Sequence, residues 1–373
     1  MGKPVKTASL LIAAIFCLAI GAPQVQAAAI PAKIGVISVI TGAGAAYGEA
    51  ITNGFKLARD ELNAKGEVKI DLVIEDSSGK QEQALAVAQK LINSEQVVAI
   101  LGPTYSNEMK VVGPEANASG VPIMGTSTTA EGITQIGKYV FRNSLPEALA
   151  IPASVKKAVA KYHIKSVAIF YGNDDVFTKS GFDTMKKVAT DMGLKITTIE
   201  EFQKGQADYK AQLTKIKATK PDAVLCSALY NEGAVILSQA RKMGINVPFV
   251  GGNGFNSPKV IEIAKEAADG LIVATPWFGD KPDPKVKALV QKYEKTYGKK
   301  PDQFAAQAYD ALYIMAEALK KAGKADRDKL RDALAGIRNF NGVLGKFSFD
   351  AERDVVMDPV VLIIKDGKFQ IFN

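Results

Sequence analysis

Short, nearly continuous apolar runs rich in β-branched residues alternate along this chain with stretches of helical spacing. Lys33–Ile40, KIGVISVI, reads as a strand buried on both faces. A helical pattern over Tyr47–Ala64 follows, then a strand at Lys69–Ile74 and a helix over Gln81–Asn93. Strand Ala99–Leu101, helix Glu108–Ala118 and strand Val121–Met124 continue the series. Strands separated by helices pair in parallel, so the pattern predicts an α/β fold with a doubly wound, mainly parallel sheet flanked by helices. A second series begins after Tyr139–Arg142, with strands at Ser166–Tyr171, Lys195–Phe202, Ala223–Ser227, Val247–Gly251 and Gly270–Ala274. Helical runs at Ala150–Lys161, Lys179–Met192, Asp208–Ala218 and Glu232–Met243 alternate with them. A chain of 373 residues is long enough for two such domains, each with its own core. Pro284–Ala322 is helical, and its apolar faces need a surface to cover, which the first domain offers. The tail carries strands at Gly345–Phe349 and Val360–Ile364, with Asp366-Gly367 turning into Phe369–Phe372.

Two strand ends stand out. Ala99–Leu101 breaks at Gly102-Pro103 into Thr104-Tyr105-Ser106-Asn107, and Val121–Met124 opens into Gly125-Thr126-Ser127-Thr128-Thr129. In a parallel sheet both ends face one crevice, where ligands bind. Ser106 and Thr129 are expected where helix N-terminal N–H groups collect, a setting suited to a carboxylate. No nucleophile or base accompanies them, so the stretch holds an acid without reacting with it.

Other chemistries find little support. The net charge of +8 is spread among acidic residues with no arginine-rich arm, which argues against nucleic acid as a partner. The single histidine, His163, follows Tyr162 at a helix end and suits a surface or capping role. No nucleophile elbow, Ser-x-x-Lys, cysteine–histidine pair or metal-ligand spacing occurs, and neither a metal nor a cofactor is expected. The turn Gly42–Gly48 invites a dinucleotide reading, but its glycines are spaced GxGxxxG and Tyr47 would crowd the pyrophosphate. Asn173-Asp174-Asp175 is read as turn chemistry. Lys3 and Lys6, the apolar run Ala8–Ala22 and the small residues of Val25-Gln26-Ala27 predict a secretory signal peptide over residues 1–27, cleaved near Ala27. The residue before Cys17 is Phe16, which argues against lipidation, and Cys226 is then the one remaining thiol, a buried apolar filler. The expectation is an exported, soluble protein.

What remains is a set of aromatic and hydroxyl residues at strand ends in both series: Tyr47, Tyr105, Ser106, Ser127, Thr129, Phe177, Tyr230, Asn253 and Trp277. Each alone suits a structural role, but together they fall where a two-lobed α/β protein has its cleft. At this point the chain resembles the type I periplasmic solute-binding proteins of ABC transporters, in the branched-chain (leucine/isoleucine/valine) amino-acid-binding group. The opening KIGVISVITGAGAAYGEAITNGFKLARDELNAKG carries the likeness. So do ILGPTYSNEM, VPIMGTSTTAEGIT, YVFRNS and DYKAQLTKIKATKPDAVLCSALYNEGA, in this order. The resemblance implies two lobes joined by three crossovers. Lobe 1 would comprise 28–143 and 276–356, and lobe 2 would comprise 144–275 and 357–373. It also implies a monomer in the periplasm that delivers its ligand to a permease in the inner membrane.

Carried over by position, Ser106 matches a serine that holds the ligand carboxylate, and Ser127 a position contacting the ligand through its backbone. Thr129 matches the threonine that binds carboxylate and ammonium, and Thr128 lies beside it. Tyr47 matches an aromatic wall, with Tyr105 nearby; Phe177 stands where tyrosine is frequent, and Tyr230 matches an aromatic at the rim. Asn253, in Gly251-Gly252-Asn253-Gly254-Phe255, falls where amino-acid binders have an acidic residue for the α-ammonium. A buried ammonium without that carboxylate loses a charge-assisted hydrogen bond of roughly 1.5–3 kcal/mol. The expected ligand is therefore a small carboxylate lacking an ammonium, such as an aromatic or keto/hydroxy acid. Three rivals stand beside it. One is an amino-acid carrier in which Asp174 or Glu232 supplies the acid; the others are a ligand-sensing receptor domain and a secreted enzyme.

Overall fold

A computed structural model describes residues 1–4 and 28–373; the expected leader lies outside the described residues save its first four. The first series folds as β1 (Ile30–Ser38), α1 (Ala45–Lys65), β2 (Val68–Asp76), α2 (Gln81–Gln89), β3 (Ala99–Leu101), α3 (Ser106–Ala118), β4 (Ile123–Gly125) and β5 (Val140–Arg142). Its sheet is parallel in the order β2-β1-β3-β4-β5, with Ile34 opposite both Leu72 and Ala99. Ile34, Val36 and Ile37 are completely buried, as a strand covered on both faces requires.

The chain then passes to a second sheet. It runs through α4 (Glu147–Tyr162), β6 (Ser166–Gly172), α5 (Val176–Asp191), β7 (Lys195–Phe202), α6 (Lys210–Thr219) and β8 (Ala223–Ser227). α7 (Tyr230–Lys242), β9 (Phe249–Gly251), α8 (Lys259–Ala264) and β10 (Leu271–Thr275) complete that run. Helices α9 (Pro284–Tyr297), α10 (Gln303–Ala322) and α11 (Arg327–Ala335) return to the first sheet, with a small antiparallel sheet of β11 (Phe340–Gly342), β12 (Gly345–Phe349) and β13 (Val355–Val356). β14 (Val360–Lys365) and β15 (Lys368–Ile371) finally join the second sheet, ordered β15-β14-β10-β9-β8-β6-β7. The chain thus crosses three times between two lobes. We propose the boundaries named above from where it leaves one sheet for the other.

The return of α10 depends on one close approach. A Cβ on Gly54 of α1 would stand 2.3 Å from the Ala305 carbonyl oxygen, so only glycine lets the two helices meet there. In both sheets the strand order reverses at one strand, β1 in the first and β6 in the second. That is where an open α/β sheet leaves a crevice at its carboxyl ends.

Several local expectations need adjustment. α5 starts three residues earlier than its apolar pattern, because Asp175 caps it by accepting from the N–H groups of Phe177 and Thr178 at 2.9 and 3.1 Å. Ser106 and Asn107, expected in a turn, form the first turn of α3. α8, β11 and β13 are too short to show a period, and α11 is amphipathic but only nine residues long, with Leu330 and Leu334 as its buried pair. His163 is the left-handed residue ending α4, consistent with a capping role.

Candidate functional site

The crevices of the two sheets face each other and are closed. Tyr47, on the first turn of α1, donates its hydroxyl to the Gly254 carbonyl at 2.5 Å and accepts from the Tyr230 N–H at 2.9 Å. Tyr230 Oη donates to the Ala43 carbonyl at 2.7 Å. Asn107 reads both ends of the Asp175 cap. Its Nδ2 donates to Asp175 Oδ2 at 3.0 Å, and its Oδ1 accepts from the Val176 N–H at 2.6 Å. Lys204 Nζ lies 4.3 Å from the centre of the Tyr105 ring, a cation–π contact across the gap.

Between these contacts lies a cavity of about 20 Å³, room for a single water. Six expected residues line it: Tyr47, Tyr105, Ser106, Ser127, Phe177 and Asn253. Tyr47 is its aromatic hub, with ring centres 4.7 Å from Phe304 and 6.4 Å from Tyr105. Burial pushes the hydroxyls of Tyr47 and Tyr105 well above the ordinary tyrosine range, so both remain neutral donors. Gly44 makes room for this packing, since a Cβ there would stand 2.0 Å from Tyr105 Oη. That close approach accounts for one glycine of the turn without any nucleotide.

The hydroxyls differ in availability. Ser127 Oγ donates to the Thr104 carbonyl at 2.6 Å, which occupies its proton. Ser106 Oγ accepts from the Ala130 N–H at 3.3 Å, leaving its own proton available. Four expected residues lie outside the cavity wall; Trp277, expected at the cleft, lines a separate groove with Phe278 and Phe369 instead. Thr128 is fully buried behind it, with no partner for its hydroxyl. Tyr230 holds the lobes together at the rim. Thr129 sits in a loop instead of at a helix N-terminus, and its hydroxyl donates to Glu147 Oε1 at 3.3 Å.

Glu147 is a member of the site that no sequence pattern marks. At the start of α4, its Oε1 also accepts from the Asn253 N–H at 2.8 Å, while its Oε2 has no partner. Desolvation pushes its carboxyl up to about 7. The two candidate acids are elsewhere: Asp174 accepts from the Lys204 N–H and Glu232 from the Gly205 N–H, and neither lines the cavity. Among the described residues no charged side chain lines it. Thr104, Gly254, Leu229 and Phe304 complete the wall, and no local pattern marks Leu229 or Phe304.

The orientation of the Asn253 amide follows from its neighbours. Asn256 places one amide atom 2.9 Å from the Ala274 carbonyl, so that atom is the donor Nδ2. The same Nδ2 lies 3.3 Å from Asn253, and Gln303 Nε2 approaches the same Asn253 atom at 2.6 Å. That atom is therefore Oδ1, and Nδ2 is the polar atom left for the cavity.

With this geometry in hand, likeness to known proteins becomes informative. Residues 31–364 match the family described as periplasmic binding protein. This chain is a periplasmic binding protein. A leucine-, isoleucine-, valine-, threonine- and alanine-binding protein of Pseudomonas aeruginosa is 28% identical over 327 residues, covering 87% of each chain. The structure of the branched-chain amino acid transporter substrate-binding protein LivJ from Streptococcus pneumoniae, in complex with isoleucine, superposes with a TM-score of 0.86. It is 31% identical and covers 91% of this chain and 98% of its own. A solute-binding protein of an ABC transporter from Rhodopseudomonas palustris, in complex with 3,4-dihydroxybenzoic acid, has a TM-score of 0.82. It is 26% identical and covers 91% of this chain and 95% of its own. In the present periplasmic binding protein, Glu147, Thr129 and Asn253 form one bonded group joining the two lobes beside the cavity.

Proposed function

We propose that this protein is the solute-binding component of an ABC importer, closing its lobes on a small carboxylate that lacks an ammonium group and presenting it to a membrane permease. The observation carrying the ligand class is the Asn253 amide. Its oxygen is taken by Gln303 and Asn256, so it offers a donor where an ammonium would need an acceptor. A keto, hydroxyl or ring-hydroxyl oxygen suits that donor, and the aromatic wall of Tyr47, Tyr105, Phe177 and Phe304 suits a flat body. The available proton of Ser106 suits the carboxylate. Closure follows from contacts supplied by both lobes, since a ligand touching both favours the closed state by its differential affinity. The cavity must widen well beyond 20 Å³ to admit any such acid, so uptake proceeds through separation of the lobes.

One observation favours the amino-acid reading. The unpartnered Oε2 of Glu147 is a buried carboxylate oxygen near Thr129 and Asn253, and relatives named for branched-chain amino acids point the same way. Calorimetry with leucine, isoleucine, benzoate, phenylpyruvate and 2-ketoisocaproate separates the two. Binding of at least one ammonium-free acid, kept in Glu147→Gln, is expected. Binding of leucine or isoleucine alone, abolished in Glu147→Gln, would overturn the proposal in favour of the amino-acid carrier.

A further inference from the structure

The polarity of the cleft cavity at Asn253 is settled by side chains that do not line it. Asn253 Oδ1 is held by Gln303 Nε2 at 2.6 Å and by Asn256 Nδ2 at 3.3 Å, and neither partner belongs to the cavity wall. The shorter bond is that of Gln303, which is itself held at its other end. Thr275 Oγ1 accepts from the Trp277 N–H at 3.2 Å. It lies 2.7 Å from Gln303 Oε1 and 2.8 Å from the Trp277 carbonyl, so its own proton has two acceptors. Asn253 and Asn256 follow β9 and Thr275 ends β10, whereas Gln303 opens α10, the helix that packs on α1. The residue that orients the amide thus arrives from the side of the other sheet.

Asn253, Asn256 and Gln303 are all buried, so reversing one amide forces its neighbour to respond. Turned end for end, Gln303 would set its oxygen against Asn253 Oδ1, and the Asn253 amide would have to turn with it, placing Oδ1 in the cavity. Thr275 opposes this little, because its hydroxyl can accept from Gln303 Nε2 and send its proton to the Trp277 carbonyl. Asn256 does oppose it. Its Nδ2 is fixed on the Ala274 carbonyl at 2.9 Å and would then face Asn253 Nδ2. The donor-outward arrangement is thus favoured by about one long neutral bond, and an acceptor-only side chain at position 303 suffices to reverse it. We propose that Gln303 is a specificity-determining positioning residue. It lies outside the ligand's wall, and by holding Asn253 Oδ1 it decides whether the cleft offers the ligand a donor or an acceptor. The choice of ligand that follows rests on the class proposed above; the orientation of the amide does not.

2-Ketoisocaproate and leucine share a carboxylate and an isobutyl body and differ in a keto oxygen against an ammonium. The ratio of their affinities therefore reads the polarity at Asn253. Calorimetry on Gln303→Met, which frees Asn253 Oδ1, is expected to show the keto-acid to leucine ratio fallen roughly three- to tenfold, and on Gln303→Glu roughly tenfold or more. A merely structural role weakens both acids alike, so a ratio unchanged in both variants overturns the proposal. Gln303→Met, neutral and of similar length, keeps that measurement decisive should the carboxylate variant not fold. The amide itself is followed without ligand, by hydrogen exchange of the Asn253 side-chain ¹⁵N resonance, identified by its loss in Asn253→Asp. In Gln303→Glu that exchange is expected to slow roughly fivefold or more, as Nδ2 turns from the cavity onto the new carboxylate. Unchanged exchange overturns the orienting role. Slowed exchange in a protein whose wild type binds neither acid upholds the hold of Gln303 on the amide and overturns the ligand class instead.

Discussion

The two sides of the cleft are built differently. On the first lobe, Tyr105, Ser106 and Ser127 come from two consecutive strand ends, and the two serine hydroxyls bond to neighbours within about twenty-five residues in the sequence. On the second, Asn253 is set by partners from three separate segments. Glu147 takes its N–H, while Gln303 and Asn256 take its oxygen. The first side is a local device. The second is an assembled one, in which changing any partner re-aims an amide that lines the cavity.

The largest effect should come from Glu147, the carboxyl at the centre of the assembled side. Burial raises it from 4.5 to about 7, so the native state binds its proton more tightly than the unfolded chain does. Stability contributed by the neutral carboxyl is fully present below about pH 4.5. It falls as pH rises toward about 7 and is flat above. The loss amounts to about 3 kcal/mol over that window. Glu147→Gln removes the titration while keeping an acceptor for the Asn253 N–H. Urea melts at pH 5 and pH 8 should therefore differ less in this variant by about that amount. An unchanged pH profile would show that Glu147 is ionised at no cost and that the assembled side is not strained by it.

Next in size is Asn253→Asp. It replaces the donor proposed for the ligand's keto or hydroxyl oxygen by a charged acceptor, removing one neutral hydrogen bond and adding repulsion toward an acid. Affinity for an ammonium-free carboxylate should fall roughly 10- to 100-fold, the equivalent of about 1.5–3 kcal/mol. Leucine affinity should rise in the same calorimetric series. If both ligands weaken together, the substitution has merely disturbed Gln303 and Asn256, and the amide sets geometry instead of specificity.

On the local side, Ser106→Ala removes the hydroxyl proton available to a carboxylate and leaves the Ala130 N–H without its acceptor. We expect roughly tenfold weaker binding of every carboxylate, whatever its body, from a bond to a charged group. Equal affinities for wild type and variant would remove Ser106 from the carboxylate's contacts. A loss limited to one ligand would make the local side selective after all.

How much of this is readable in the sequence follows the same division. The strands of both sheets are legible because burial on both faces leaves continuous apolar runs such as KIGVISVI, and the hydroxyl turns stand at their ends. Tyr47, Tyr105, Ser106, Ser127, Phe177 and Asn253 stand out for that reason and do share one cavity. Thr129 stands at a strand end too, but its hydroxyl is directed at a carboxylate eighteen residues later, on another element. Glu147 carries no local mark, since a glutamate in the first turn of a helix is ordinary dipole chemistry. Its role emerges when α4 packs beneath the β9 turn. Phe304 and Gln303 are more remote still, arriving on α10 after two lobe crossings. Periodicity records which face of an element is buried, and it is silent on which distant element covers that face.

The smallest effect should come from Phe177→Tyr, which restores the hydroxyl that the family resemblance leads one to expect in this wall. Phe177 is 6% exposed, at the start of α5, so an added hydroxyl must find a partner inside the cavity or disturb the wall. A ring oxygen on an aromatic acid would supply that partner, and a plain hydrocarbon body would not. Ligands bearing a ring hydroxyl, such as 4-hydroxybenzoate, should therefore bind about two- to tenfold tighter to the variant, the value of one neutral hydrogen bond. Benzoate should bind less tightly to it than to the wild type. Opposite shifts for two acids differing in one hydroxyl would locate Phe177 against the ligand's body. Parallel shifts would mean that the added oxygen acts on closure of the lobes and not on the ligand.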